Sequence, residues 1–186
     1  MLRKILIGFG VVILVFGMYV VYLSLTTKSH SPEEVAQFQS DEFSLKVKYC
    51  RPYMKGRQVF GHEYEDVIVP YGKKWRTGAN EATEIALSQD VLIGGKRLAA
   101  GTYSIYSIPQ PSSWVIVFNS RTKYWGASFS GNPFKEEYDV LRAEASVSEL
   151  TTDVEQFGIA LQQSEDRTID MTFAWEKTQA TLTLTY

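Results

Sequence analysis

Cysteine and histidine are scarce in this chain of 186 residues, and each shortage excludes a class of site. Cys50 is the one cysteine, so no intrachain disulfide can form, even in an oxidising compartment. It follows the N-terminal apolar segment by 25 residues, a spacing that excludes a lipid-modified cysteine at a signal cleavage site. Of the two histidines, only His62 lies in the part of the chain that forms the domain. Few routes to a catalytic apparatus are left, and the fold has to depend on its apolar core.

Charge is absent from residues 5–25, a stretch of 21 residues. An α-helix needs roughly 20 apolar residues to cross a bilayer. A cleaved signal peptide has a shorter apolar region, of about 7–15 residues, and small residues at its cleavage site, a pattern that SLTTKSHS (24–31) lacks. Residues 1–27 are therefore predicted to form a transmembrane signal anchor that contacts the membrane through residues 5–25.

Positive charge on one side of the apolar segment predicts its orientation. Arg3 and Lys4 precede the segment, whereas only Lys28 follows it closely. An excess of Lys and Arg keeps that end of a membrane helix in the cytoplasm. The rest of the chain is then predicted to be extracytoplasmic, which means periplasmic in a Gram-negative bacterium.

A strongly basic composition is also missing. After residue 30 the chain has 16 Lys and Arg against 21 Asp and Glu. Proteins that bind nucleic acid neutralise phosphates with clustered Lys and Arg. The mildly acidic balance therefore argues against a nucleic-acid partner.

Long amphipathic helices and internal repeats are absent beyond the membrane segment. The polar residues 28–40 are predicted to be a juxtamembrane linker, and residues 41–186 to be the domain. Within the domain, apolar and polar residues alternate as in half-buried β-strands. About ten such short runs, separated by turn residues, predict a single all-β, antiparallel, sandwich-like domain. The strands are expected at 43–49, 66–69, 82–88, 90–93, 102–108, 113–119, 139–147, 156–162, 168–176 and 180–186.

Glycine pairs and tryptophans add detail to this fold. Gly94 and Gly95 stand between two β runs and predict a two-residue hairpin turn. Trp114, Trp125 and Trp175 lie in or beside β runs, and they are predicted to be core or sheet-face residues.

Acidic residues are absent between Phe43 and His62, where KVKYCRPYMKGR (46–57) carries five cations. Arginine forks bind carboxylate or phosphate bidentately, so Arg51 and Arg57 are candidates for an anion site. The alternative is that both arginines pair with acidic residues elsewhere and hold a loop in place.

Two arrangements point to hydrolysis. Cys50 stands beside an arginine, and a neighbouring cation lowers the pKa of a thiol, so Cys50 with His62 as base is a candidate nucleophile. A buried, inert thiol is the alternative.

His62, Glu63 and Asp66 are candidate ligands for a divalent metal. Here the alternative is a solvated acidic loop.

The segment KKWRTGANEATEI (73–85) crowds cations, an amide and carboxylates together. Gly78 or Asn80 is predicted to take a left-handed backbone conformation in a turn. Arg76, Asn80 and Glu81 are candidates for a polar-ligand site, with the arginine neutralising an anionic group and the amide fixing its orientation. The alternative is a turn in which Asn80 satisfies only the loop backbone.

Six segments of the chain together resemble a known family, the domain-of-unknown-function family 2911. This family is typical of Bacteroidetes and related bacteria, where its members carry an export signal. The resemblance covers residues 41–186 and implies an exported bacterial domain, but it implies no activity, cofactor or catalytic residue. In this chain a membrane anchor stands in place of the cleavable signal. The segments are YCRPYMKGRQVFG (49–61), VPYGKKWRTGANEATEI (69–85), GGKRLAAGTYSIYSIP (94–109), WVIVFN (114–119), YDVLR (138–142) and AWEKT (174–178).

Two functional hypotheses follow. The first is a binding or structural module of the bacterial envelope that recognises an anionic or carbohydrate-like ligand through the region of Arg76 and Asn80. The second is a hydrolase that uses a metal at His62 and nearby carboxylates, or Cys50 as nucleophile.

Overall fold

A computed structural model describes residues 2–124 and 134–186 of the chain, so Trp125 lies outside the described residues. The chain begins with helix α1 (Leu2–His30). This helix is long and apolar enough to cross a membrane, and its large apolar side chains between Phe9 and Tyr22 are exposed all around it. The predicted apolar helix is confirmed, and it continues to His30 instead of ending at residue 27.

Strands make up most of the rest of the described chain, with single 3-10 turns at Glu63–Glu65 and Glu136–Tyr138. Eleven strands occur in the part that the structure describes. They are β1 (Glu33–Gln39), β2 (Ser44–Cys50), β3 (Phe60–Gly61), β4 (Val69–Pro70), β5 (Thr83–Leu87), β6 (Val91–Ile93), β7 (Lys96–Leu98), β8 (Gly101–Pro109), β9 (Ser113–Asn119), β10 (Asp139–Glu165) and β11 (Thr168–Thr185).

Nine of these strands form one sheet, in the order β1-β2-β5-β8-β9-β10-β11-β6-β7. Every pairing in this sheet is antiparallel, while β3 and β4 form a short parallel pair apart from it. The all-β, antiparallel prediction is therefore confirmed. The predicted hairpin is also present, because β6 and β7 pair across Gly94 and Gly95, which both have positive φ.

Strands β10 and β11 each replace two of the predicted strands. The sequence pattern predicts breaks at 148–155 and 177–179, yet each strand continues through its break. The register of β10 against β11 shifts between Glu149 and Gly158. Bulges of this kind disturb the alternation of apolar and polar residues without ending a strand. A reading based on a period of two therefore divides one strand into two.

The two halves of β10 lie in different layers of the fold. Residues 139–146 pair with β9, whereas residues 158–165 pair only with β11. The second half also meets β2, because the Tyr49 hydroxyl accepts a hydrogen bond from the Ile159 N–H at 2.9 Å. Strands that stand far apart in the sheet order are thus in contact, and the sheet folds over on itself around a shared core.

Aromatic rings fill the centre of this core. Trp75 stacks on Trp175 with 5.8 Å between ring centroids, and it meets Trp114 edge-on at the same distance. Phe60 contacts all three indoles. Aromatic pairs of this geometry contribute about 0.5–1.5 kcal/mol each beyond the area that they bury. Because Trp75 precedes β5 in a loop and pairs with Ser107 of β8, that loop is part of the core.

Strand β1 lies in the segment predicted to be a linker, residues 28–40, and it pairs with β2 from Glu33 opposite Cys50 to Gln39 opposite Ser44. Only Ala36 and Phe38 of this strand are half-buried. An edge strand with so little apolar alternation carries no period-two signal, which is why the sequence pattern predicts a linker here.

Gly78 marks the closest approach between the loop before β5 and the end of β2. Its φ is 146°, and a Cβ built on it would lie 2.8 Å from the carbonyl oxygen of Cys50. No residue with a side chain fits there unless one of the two backbones moves.

We expect Gly78→Ala to destabilise the domain far more than Gly56→Ala. Gly56 also has positive φ, at 70°, but nothing lies within 4 Å of a Cβ at that position. Both variants force an L-residue into left-handed backbone, which costs about 1–2 kcal/mol, and Gly78→Ala adds the clash with Cys50. Thermal unfolding of the full chain should show an additional loss of at least about 5 °C for Gly78→Ala, since 1 kcal/mol corresponds to about 2–4 °C at this size. Equal losses would contradict the close approach.

Candidate functional site

The 75–82 loop, which precedes β5, is held by hydrogen bonds that stay within the core. The Thr77 hydroxyl lies 3.0 Å from the Ser107 hydroxyl, and the Thr83 hydroxyl donates to the Thr77 carbonyl at 2.7 Å. The Trp75 indole N–H also donates to a carbonyl of the loop, at 3.1 Å. Thr77 and Thr83 are fully buried. The polar residues of this loop thus satisfy its own backbone.

Three residues of the loop have positive φ. Gly78 and Asn80 do so as the sequence predicts, with φ of 146° and 55°. Thr77 does so at 54°, which is a costly conformation for a β-branched residue. Such strain persists only where the surrounding contacts hold the backbone in the strained conformation, as the buried hydrogen bonds of Thr77 do here.

Asn80 binds the C-terminal end of helix α1. Its amide nitrogen donates to the carbonyl oxygen of Ser31 at 3.2 Å and to that of Thr27 at 3.5 Å. The Thr27 carbonyl also accepts the Ser31 N–H at 3.1 Å, so the amide adds a second donor there and a donor to the carbonyl that directly follows α1. Asn80, a predicted ligand residue, thus has a structural partner in α1.

Glu81 lies at the centre of a row of charges beside Asn80. Its carboxylate accepts a hydrogen bond from the Cys50 thiol at 3.4 Å and pairs with the Lys28 ammonium at 3.4 Å. Lys28 also lies 3.7 Å from Glu33, which in turn pairs with Lys48 at 3.1 Å. The row joins the last turn of α1 to strands β1 and β2.

The thiol of Cys50 is buried, and this reverses the predicted effect of nearby cations. Burial raises the pKa of Cys50 to about 11, and the hydrogen bond to Glu81 acts in the same direction. The prediction that cations lower this pKa is wrong, because the nearest charged group is a carboxylate. No contact joins Cys50 to His62 within the described residues, so His62 is not placed as the base for this thiol.

His62 lies on the surface, between aromatic rings. It stacks on Tyr64 with 5.3 Å between ring centroids and meets Tyr71 edge-on at 5.7 Å. Glu63 pairs with Lys73 at 3.0 Å. In residues 2–124 and 134–186 no group of three or more His, Cys, Asp or Glu side chains is placed to hold a metal ion. The predicted ligand set of His62, Glu63 and Asp66 is therefore not assembled there.

Arg51 and Arg57 have partners inside the protein. Arg51 donates from Nε to the Phe157 carbonyl at 2.9 Å and pairs with Glu34. Arg57 donates from Nε to the Met54 carbonyl at 2.9 Å, within its own turn. Arg51 thus holds the backbone of β10 and pairs with an acidic residue, as the alternative interpretation expected, whereas Arg57 holds the backbone of its own turn without an acidic partner in the described residues. The structure does not bring them together with Arg76.

Arg76 differs from the other two arginines. It is half-buried, and desolvation lowers the pKa of its guanidinium, an effect that the nearby Tyr124 hydroxyl partly opposes. Within residues 2–124 and 134–186 its guanidinium makes neither a hydrogen bond nor an ion pair. Burial of a charge without a partner is costly.

Further cations surround Tyr124. The Arg121 guanidinium lies over its ring, 5.2 Å from the centroid, and Lys123 directly precedes Tyr124 in the chain. Neither side chain makes an ion pair within the described parts of the chain. Tyr124 also lines a pocket of about 360 Å³. The other lining residues are Lys48, Glu81, Ala82, Glu84 and Lys123.

Sequence reasoning missed Lys28, Lys123 and Tyr124 as parts of this region. Lys28 stood out only as a weak orientation signal after the apolar segment, although its position in the last turn of a helix that meets the domain makes it a partner for Glu81. No pattern in the sequence connects Tyr124 to Arg76, because 47 residues separate them. The fold alone brings them together.

Comparison with known proteins finds one family. The model of a family described as "Protein of unknown function (DUF2911)" matches residues 31–184, which include β1. No curated protein and no solved structure matches the chain.

We expect the Cys50 thiol to react slowly with a disulfide reagent in the folded, full-length protein. At pH 8 a thiol of pKa about 11 is ionised at least about 100-fold less than a free thiol of pKa about 8.5. Its reaction rate should also increase about tenfold per pH unit up to about pH 10, because the thiolate is the nucleophile. The urea-unfolded protein is the control, and its rate should level off above about pH 8.5. A folded protein that reacts as fast as the unfolded one would restore the nucleophile interpretation.

Proposed function

The chain belongs to the DUF2911 family, and we propose that it is a membrane-anchored binding module that holds an anionic saccharide, through a carboxylate or phosphate group, beside Arg76. In this proposal α1 crosses the membrane with its N-terminus in the cytoplasm, and the β domain is extracytoplasmic, on the periplasmic side of a Gram-negative envelope. The exposed apolar surface of α1 and the positive charges of Arg3 and Lys4 support this arrangement.

The half-buried guanidinium of Arg76 is the observation that carries the proposal. Transfer of a charged group out of water is unfavourable unless a partner replaces the lost hydration. Arg51 and Arg57 have such partners in carbonyls and a carboxylate. Arg76 has none in the described residues, although burial already lowers its pKa. A bound carboxylate or phosphate would supply the missing partner through bidentate hydrogen bonds.

The neighbouring pocket favours a sugar with a single acidic group. Its volume of about 360 Å³ falls within the range of small-molecule sites. Lys123 lines it, but so do the carboxylates of Glu81 and Glu84. Two carboxylates repel a polyanion, whereas they accept hydrogen bonds from sugar hydroxyls. Hydroxyls beside one anionic group therefore match this mixed lining better than a nucleotide triphosphate or a nucleic acid does.

The test is a thermal-shift titration of the full chain in nanodiscs, with Arg76→Met as the variant. Wild type should be stabilised by glucuronate or glucose 6-phosphate and not by glucose, while Arg76→Met should lose this stabilisation. Without ligand, Arg76→Met should unfold at the same temperature as wild type or up to about 3 °C higher, because the change removes a buried charge that has no partner.

Arg97→Met is the matched control. Arg97 is exposed and pairs with Asp90 on the β6–β7 hairpin, so its removal should leave the response to both sugars unchanged. A wild type that none of these sugars stabilises would overturn the proposal. A ligand-free Arg76→Met that unfolds several degrees lower would instead show that Arg76 is a structural residue.

A further inference from the structure

The β domain lies directly against the end of α1, without a flexible linker between them. Asn80 donates to the carbonyl of Thr27, in the last turn of the helix, and to that of Ser31, directly after it, and Lys28 pairs with Glu81 at 3.4 Å. On another side, the Lys55 ammonium lies 3.2 Å from Nδ1 of His30. Contacts from two separate loops thus fix the height of the domain above the end of the helix.

This height places part of the pocket at the membrane surface. The apolar segment ends at residue 25, and Lys28 follows it by three residues. At about 1.5 Å of rise per residue, Lys28 lies roughly 5 Å above the hydrocarbon. The headgroup layer on each side of a bilayer is about 5–7 Å deep, as the difference between its total and hydrocarbon thickness shows. Glu81, which lines the pocket, touches Lys28 and therefore lies at the level of the headgroups.

A second lining residue belongs to the same level. Lys48 is linked to Lys28 through the carboxylate of Glu33, at distances of 3.1 and 3.7 Å. One wall of the pocket is thus built from residues that reach the last turn of the membrane helix. A sugar attached to a lipid is presented at this level, whereas a free sugar has to reach it from solution.

We infer that the ligand of the pocket is the headgroup of an anionic glycolipid in the membrane that α1 crosses. This inference rests on the proposed function and adds the source of the saccharide to it. Confinement of domain and ligand to one membrane raises the effective concentration of the headgroup near the pocket. A modest affinity for the sugar itself is then sufficient for occupancy.

The experiment measures the apparent Kd for soluble glucuronate on the full chain in phosphatidylcholine nanodiscs, with and without about 5% glucuronosyl diacylglycerol. The lipid headgroup should compete for the pocket and raise the apparent Kd at least about tenfold, within the usual gain from tethering. Glucosyl diacylglycerol at the same fraction should have no effect. Phosphatidylglycerol at that fraction carries the charge without the acidic sugar, and it should leave the apparent Kd within about twofold.

A spacer variant tests the height of the domain. A flexible Gly-Ser insertion of ten residues between positions 25 and 26 keeps the residues that contact Asn80 and Glu81 on the domain side, and it separates the domain from the membrane by an r.m.s. distance of about 18 Å. This variant should bind soluble glucuronate as wild type does, and competition by glucuronosyl diacylglycerol should fall several-fold.

The possible failures are distinguishable. If soluble glucuronate does not bind in plain nanodiscs, the proposed function fails. If it binds and glucuronosyl diacylglycerol does not compete, the glycolipid inference is overturned and the proposed function stands. Equal competition by phosphatidylglycerol would overturn the inference in favour of a general anionic-lipid surface, and undiminished competition in the spacer variant would contradict the membrane-level placement of the pocket.

Discussion

The contact between the Gly78 backbone and the Cys50 carbonyl is the constraint on which the rest of the site depends. It brings the 75–82 loop against the end of β2 at a distance that no side chain allows. Held in this position, the loop inserts Trp75 between the two layers of the sheet and keeps Thr77 in a strained conformation. The strain is tolerated because buried hydrogen bonds on both sides of Thr77 leave the loop no relaxed alternative.

The same loop explains why helix and domain meet without a linker. Asn80 and Glu81 follow the buried part of the loop. The contacts that hold the loop therefore also position these two residues for their contacts with α1. Burial alone would raise the pKa of Glu81, but its own backbone N–H, the Cys50 thiol and Lys28 together lower it. Glu81 is therefore ionised at neutral pH, and its ion pair with Lys28 is retained. A thiol beside a fixed carboxylate is a poor nucleophile, which is consistent with a structural role for Cys50.

The sequence predicted the class of the fold well and the roles of its polar residues less well, for a physical reason. Alternation of apolar and polar residues follows directly from burial of one face of a strand, so β2, β8 and β9 were recognisable. Edge strand β1 and the long strands β10 and β11 break that alternation, so β1 was predicted to be a linker and β10 and β11 were each divided into two strands. The chemistry of a polar side chain does not depend on whether its partner is a ligand or a carbonyl of the same protein. Asn80 and Arg51 were therefore correctly recognised as residues that bind polar groups. Their partners are groups of the protein itself and not of a ligand.

The three candidate arginines have different roles in the fold: Arg51 and Arg57 bind groups of the protein itself, whereas Arg76 has no such partner in the described residues. Trp75 and Thr77 are buried in the core, whereas Arg76 between them is only half-buried and lies near Tyr124. The backbone of Arg76 belongs to the same strained and hydrogen-bonded loop as its two neighbours. A binding group gains most when its geometry is set before the ligand arrives, since little ordering remains to be done on binding. The buried hydrogen bonds that hold the loop thus also position the backbone of Arg76, whose guanidinium has no hydrogen-bond or ion-pair partner in the described part of the protein.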